Sequence, residues 1–288
     1  MAWAAAGWGA HYVLIRNDGT AICRGSNNAH GERDVPELAQ GVTYTQASVG
    51  KWHTVLLRSD GHAVAFGDNR WGQCDIPELT QGATYTQISA GGAHTVLLRN
   101  DGMAVACGDH SFGQCSFPPS NIYTQVSCGW LHTVLLHPDG TAIACGENSA
   151  GQCNIPVLPG PVLPIQPVES QMLKYTQISA GFEHTVLLRS DGTAMACGDN
   201  SYGQCMLDGS ATYKQVSAGV KHTVLLCSNG RAVQFGRFRK MMAIPPLLWH
   251  LRYVRVDAGN DQIVLRRSDG ATLFVGYYRG VTRPFFIV

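Results

Sequence analysis

The segment Tyr85-Thr86-Gln87-Ile88-Ser89-Ala90-Gly91-Gly92-Ala93-His94-Thr95-Val96-Leu97-Leu98 recurs with substitutions seven times in a chain of 288 residues. The histidine marks each copy: His11, His53, His94, His132, His184 and His222, with Gln262 at the corresponding place in the last. Successive anchors are 42, 41, 38, 52, 38 and 40 residues apart. An Asp-Gly or Asn-Gly pair follows each anchor in step, from Asp18-Gly19 to Asp269-Gly270. Self-similarity at this period is the mark of a repeat architecture, in which no copy buries its apolar face alone.

Within a copy the apolar residues alternate or run continuously, as in Tyr175-Thr176-Gln177-Ile178-Ser179-Ala180, then Thr185-Val186-Leu187-Leu188, then Thr193-Ala194-Met195-Ala196-Cys197. β-Branched, aromatic and small residues bounded by glycine read as strands. Asp-Gly between the second and third runs supplies the positive φ of a tight turn, so each copy holds a β-hairpin. Pro36, Pro77 and Pro156 stand where a strand must end or lie at an edge. Three or four short strands per copy make one small sheet, and sheets stacked around an axis bury one another. The expected fold is all-β, a seven-bladed β-propeller built from the seven repeats, filling 1–288 as a single domain. If blades and copies are out of phase, strands from the two termini would share a blade and fasten the ring.

Composition narrows the function. No apolar run reaches the ~18 residues of a membrane span, and the opening Met-Ala-Trp lacks a basic leader region, so an intracellular protein, cytoplasmic or nuclear, is expected. The ten cysteines follow the repeat, with Cys107/Cys115, Cys145/Cys153 and Cys197/Cys205 recurring at one spacing, and read as reduced core thiols. No close Cys pair suggests a zinc site, and no metal or cofactor is expected. The net charge of +1 hides an asymmetry: residues 221–288 hold eleven Lys and Arg against three Asp, whereas 1–220 hold ten against seventeen Asp and Glu. A basic C-terminal sector favours an acidic partner. Nucleic acid would also suit that field, although no aromatic-and-basic interleaving of a known nucleic-acid module accompanies it.

The segments Ala90-Gly91-Gly92-Ala93-His94-Thr95 and Gly67-Asp68-Asn69-Arg70-Trp71-Gly72-Gln73 resemble the repeats of the RCC1 superfamily, named for the regulator of chromosome condensation. The likeness runs over nearly the whole chain, with the first and last copies degraded. It implies a seven-bladed propeller and several functions, among them guanine-nucleotide exchange, domains within HECT ubiquitin ligases, and ultraviolet sensing. Fold alone does not choose among these. The repeats leave no room for a HECT domain. The family's exchange factor inserts a β-wedge, but the insertion here, Asn154–Leu173, carries five prolines and reads as an extended loop. The tryptophans Trp8, Trp52 and Trp130 are too interrupted by Gly92, Phe182 and Val220 to build a clustered chromophore.

Equivalent histidines disperse around a ring rather than converge, so they read as structural groups bonded to backbone, and no nucleophile or phosphate-loop motif occurs. The chain is expected to be non-enzymatic. What differs between copies is the pair before each anchor, where loops on one face can vary contacts without loss of fold. Trp52, Trp130 and Phe182 are candidate partner-binding anchors there, together with Lys221, Arg237, Arg239 and Lys240 of the basic sector. The expected role is a protein-interaction scaffold, with regulation of a small GTPase second and an adaptor in a ubiquitin-ligase pathway third.

Overall fold

The computed structural model describes residues 3–6, 11–25, 28–119, 121–158, 172–237, 243–260, 262–276 and 285–287. Among the described residues each copy folds into its own antiparallel sheet, seven in all. In the third, Tyr85–Ala90 is the inner strand, His94–Arg99 the middle and Ala104–Gly108 the outer. The other six repeat this order, and the last, Tyr253–Ala258, Gln262–Arg267 and Thr272–Gly276, gains a fourth strand, Phe285–Ile287. Blades and copies are therefore in phase. Trp3–Ala6 pairs within the first blade and Phe285–Ile287 within the last, so no described strand crosses the closure.

The hairpin turn differs in detail from its sequence expectation. Arg58 N–H donates to His62 C=O and Gly61 N–H to Arg58 C=O, leaving a three-residue loop in which only Gly61, at φ +81°, needs positive φ. Such a turn followed by a left-handed glycine is the three-residue hairpin connection. The connector to the next blade is pinned by the first residue of the inner strand: Tyr44, Tyr85, Tyr175 and Tyr253 donate their hydroxyls to the carbonyls of Pro36, Pro77, Pro156 and Pro245.

Cores lie between blades. Val55, Leu57, Tyr85, Ile88 and Leu97 form one cluster shared by the second and third sheets, and the arrangement recurs around the ring. Inner strands face a central channel, and two of their side chains clamp the neighbour. Gln87 accepts from Val126 N–H and donates to Val126 C=O, while Ser89 Oγ accepts from Cys128 N–H. Gln125 and Ser127 treat Ile178 and Ala180 in the same way, as do Gln215 and Ser217 with Val256 and Ala258. Each clamp satisfies strand-edge groups that a partner chain would otherwise find.

The Gly-x-x-His-Thr motif has a single structural explanation. A Cβ on Gly91 would lie 2.2 Å from Cε1 of His94 and 2.6 Å from the carbonyl of Gly129, so only glycine lets the ring lie flat at the seam. His94 Nε2 then stands 3.0 Å from Thr133 Oγ1 of the next blade, whose hydroxyl donates to Gln114 C=O. Since the threonine hydrogen goes to the carbonyl, Nε2 carries the imidazole proton. His11, His53, His132 and His184 meet Thr54, Thr95, Thr185 and Thr223 likewise. The Nε2 partner of these five is a side chain of the following blade rather than backbone. Burial holds His53, His132 and His222 down to about 3 and His11, His94 and His184 to about 4, so all are neutral at pH 7.

The ring closes by other means. In the last blade Arg255 and Asp257 replace the clamping Gln and Ser and pair with each other at 2.8 Å. Ile263 takes the place of the acceptor Thr, and Tyr12 does so in the first blade, where its ring packs 4.3 Å from that of Phe274. The ten cysteines are free thiols, with the regularly spaced ones half-buried rather than fully enclosed. Burial pushes Cys74, Cys107, Cys145 and Cys197 up to about 12, and their S–H groups point at carbonyls such as Asp68 O, 3.4 Å from Cys74 Sγ.

Candidate functional site: the loop face of the ring

One end of the ring is made by the Gly-x-x-His loops and the Gly-Asp-Asn-x-x-Gly-Gln turns that follow the outer strands. His53 pairs with Gly67, which fixes both loops of a blade at this end. The turn is rigid for a local reason. Asn69 Nδ2 donates to Asp75, its Oδ1 accepts from Cys74 N–H, and buried Gln73 accepts from Trp71 N–H. With the ends satisfied, the residue before the second glycine projects outward: Trp71 is 58% exposed and Phe112 53%.

Three of the sequence candidates meet on this face. Trp130 stacks on Phe182 with ring centroids 4.6 Å apart, and Lys51 Nζ lies 3.8 Å from the ring centre of Trp52 and 4.4 Å from that of Trp130. Lys51 and Trp130 belong to blades two and four, so the contact has to cross blade three. Gly92 permits it: its N–H donates to Trp130 C=O, and a Cβ there would lie 2.5 Å from that carbonyl and 3.2 Å from the indole. Arg70 adds a second cation, its Cζ 5.5 Å from the Trp52 ring, while its Nε holds Asp68 at 2.8 Å. Burial, and then the nearby Arg70, hold the Lys51 ammonium below the ordinary lysine value. A lysine fixed between indoles is preorganised, because its cation–π contacts of about 1 kcal/mol each offset the loss of rotamer freedom.

The cationic candidates converge elsewhere on the same face. Lys221 Nζ is 3.2 Å from Tyr202 Oη and 4.6 Å from that ring's centre, and Arg237 Cζ is 5.6 Å from it. Glu183 stands between the two clusters; burial raises its carboxyl, as do Asp199 and Glu147, with Lys221 acting in the opposite sense. Arg239 and Lys240, and most of the Asn154–Leu173 insertion, lie outside the described residues. Sequence reasoning missed Trp71, Phe112 and Tyr202; their signal was a position that varies immediately before the fixed glycine of each turn. Among the described residues no group of three or more His, Cys, Asp or Glu is placed to hold a metal ion, and no helix is long and apolar enough to cross a membrane.

Comparison with known proteins agrees with this architecture. The sequence model of the regulator of chromosome condensation (RCC1) repeat matches residues 44–73, 85–114, 123–152 and 175–204. No curated protein sequence matches the chain. Among solved structures, human WBSCR16 superposes with a TM-score of 0.73 at 17% identity, over 89% of this chain and 84% of that one. Prp20p of Saccharomyces cerevisiae, described with its binding to Gsp1p and histones, gives 0.72 at 19% identity over 96% and 82%. The ectodomain of the Arabidopsis thaliana receptor kinase ACR4 gives 0.69 at 18% over 95% and 94%. Likeness at these identities establishes the fold.

Proposed function

Because the chain belongs to the RCC1 repeat superfamily and is built as an RCC1-like propeller, we propose that it is a non-enzymatic protein-interaction scaffold in which residues 1–288 act as one propeller domain. The observation that carries this reading is the aromatic and cationic cluster on the loop face, where Lys51, Trp52, Trp130 and Phe182 come from three blades and are held in fixed contact. Large, rigid aromatic groups beside a partly desolvated cation are the features that dominate interface energies. They favour a protein partner offering carboxylates to Lys51 and Arg70 around an apolar centre. A photo-crosslinking amino acid placed at Trp71, beside the cluster and already exposed, tests it in the source cell. A discrete crosslinked protein is expected, and loss of that band on Trp52→Ala/Trp130→Ala locates the contact; no crosslinked protein would contradict the reading.

Regulation of a small GTPase is the second reading, supported by the likeness to Prp20p and that protein's described binding to Gsp1p. A nucleotide-release assay with a panel of small GTPases checks it. Acceleration of release in any of them would favour exchange over a passive scaffold.

A further inference from the structure

The opposite end of the ring carries a second site of different character. That end is made by the Asp-Gly turns and by the connectors that enter each inner strand, and most of its turns carry an ion pair, Arg58 with Asp60, Arg99 with Asp101, Arg189 with Asp191 and Arg267 with Asp269. Asp18, Asp60, Asp101, Asp139, Asp191 and Asp269 occupy the turns, and Glu37 and Glu78 the connectors Ile/Val-Pro-Glu-Leu. Between blades six and seven the balance shifts. The turn holds Asn229 where the others hold Asp, and the connector Ile244-Pro245-Pro246-Leu247 holds Pro246 where Glu78 stands in Ile76-Pro77-Glu78-Leu79. Arg231 replaces the Thr20, His62 or Met103 that follows the turn glycine elsewhere, and Arg252 replaces the Thr43, Thr84 or Thr212 that precedes the tyrosine, a place where the fifth copy also has a cation, Lys174. Relative to the second copy, two acids are removed and two guanidiniums added, while Cys227 takes the place of Arg58, so the net shift is toward positive charge.

The same place is apolar. Ile244 and Leu247 pack on the core between these blades, as their equivalents do. Leu248 and Trp249 do not: they are 65% and 93% exposed. Leu251 N–H donates to Leu248 C=O, so Trp249 sits on a closed turn, and its ring meets His250 edge-on at 5.3 Å. Both ends of the connector are tied, since Tyr253 Oη donates to Pro245 C=O and Tyr253 N–H to Gly230 C=O. Behind the turn is a groove of about 490 Å³ lined by Pro245, Pro246, Leu247, Leu248, Trp249 and Leu251, with Arg231 and Arg252 at its margin and no carboxylate in its walls. Arg252 Nη1 is held by Asn229 C=O at 2.6 Å, which fixes one guanidinium at the rim.

We propose that this groove binds an acidic peptide segment of a partner protein, an apolar side chain seating against Leu248 and Trp249 and flanking carboxylates meeting Arg231 and Arg252. The net gain of positive charge selects the sign of the ligand. The preset turn lowers the ordering cost of presenting Trp249, which needs no further folding to make contact. An anionic membrane is disfavoured by the same geometry: the other turns hold Arg58, Arg99, Arg189 and Arg267 in ion pairs with Asp and offer lipid headgroups no broad basic face, whereas a peptide needs only the groove at one edge. The site is separate from the Trp52 and Trp130 cluster and stands or falls without it.

The test is selection of a random peptide library displayed on phage against the full chain, with counter-selection on Trp249→Ala. The expected peptides carry Asp or Glu around a single Leu, Ile, Phe or Trp. Synthetic copies should bind about tenfold more weakly to Trp249→Ala and to Arg231→Glu, and unchanged to Trp130→Ala. Both altered side chains are exposed, so their melting temperatures should match the parent. No enriched peptide, or enriched peptides without acidic residues, would overturn the proposal. So would Trp249-dependent sedimentation with phosphatidylserine-containing vesicles in the absence of peptide binding.

Discussion

The seam between blades and the rim of the loop face are built from the same short segment, and they treat substitution in opposite ways. In Gly-x-x-His-Thr the fixed letters all belong to the seam: glycine leaves room for the imidazole, histidine reaches the next threonine, and that threonine reaches back to a carbonyl. The two letters between them belong to the rim, where Lys51-Trp52, Gly92-Ala93 and Trp130-Leu131 differ freely. A seam residue is constrained by neighbours that are themselves repeated. A rim residue answers to solvent or to a partner, so variation there alters recognition without loss of fold.

Acid should break the seam with the largest effect. Six buried imidazoles have pKa values held at about 3 to 4 in the folded ring, below the 6.5 of the unfolded chain. A group with a depressed folded pKa contributes stability that is complete above the unfolded value and is lost as pH falls towards the folded one. The window is therefore pH 6.5 to about 4, with a loss of about 1.4 kcal/mol per imidazole per pH unit. Summed over six such groups, the loss exceeds the whole stability of a typical domain before pH 4 is reached. Urea titrations at pH 7.5 and 5 should show a collapse of the midpoint, and equal midpoints would show that the imidazoles are not desolvated.

Substitutions separate the kinds of seam. Phe274→Ala empties the aromatic contact with Tyr12 at the closure and should cost about 3–5 kcal/mol in chemical denaturation. Thr133→Val, at a repeated seam, keeps the shape but leaves the His94 Nε2 proton without an acceptor, for about 1–3 kcal/mol. A cost for Phe274→Ala no greater than for Thr133→Val would mean that the closure is no more dependent on packing than the other seams. At the rim, Trp130→Ala removes one stacking contact and one cation–π contact from a half-buried site, and should cost about 1–2 kcal/mol.

Most of the fold was legible because its information is local. The hairpin and the exit of each strand at glycine follow from periodicity within one copy. The His–Thr contacts were not legible, since the partners are 39 to 53 residues apart and threonine at a strand position has an ordinary explanation of its own. The phase of closure was left open for a similar reason: either pairing of the terminal strands satisfies the same pattern. Trp52, Trp130 and Phe182 were found because they interrupt a repeated pattern, but their convergence depended on the absent side chain of Gly92. Trp249 carries no such signal, because it stands in a connector whose residues vary between copies, at the place of Gln40 and Gln81.

The central claim is that the seam builds the ring and the rim does the binding, and one paired measurement addresses it. Thermal melting and affinity capture from source-cell lysate are run side by side on the parent chain, Thr133→Val and Trp52→Ala/Trp130→Ala. The expected result is a lowered melting temperature with an unchanged set of captured proteins for Thr133→Val, and loss of captured proteins with native circular dichroism for the tryptophan pair. Capture of the same proteins by the tryptophan pair would contradict it.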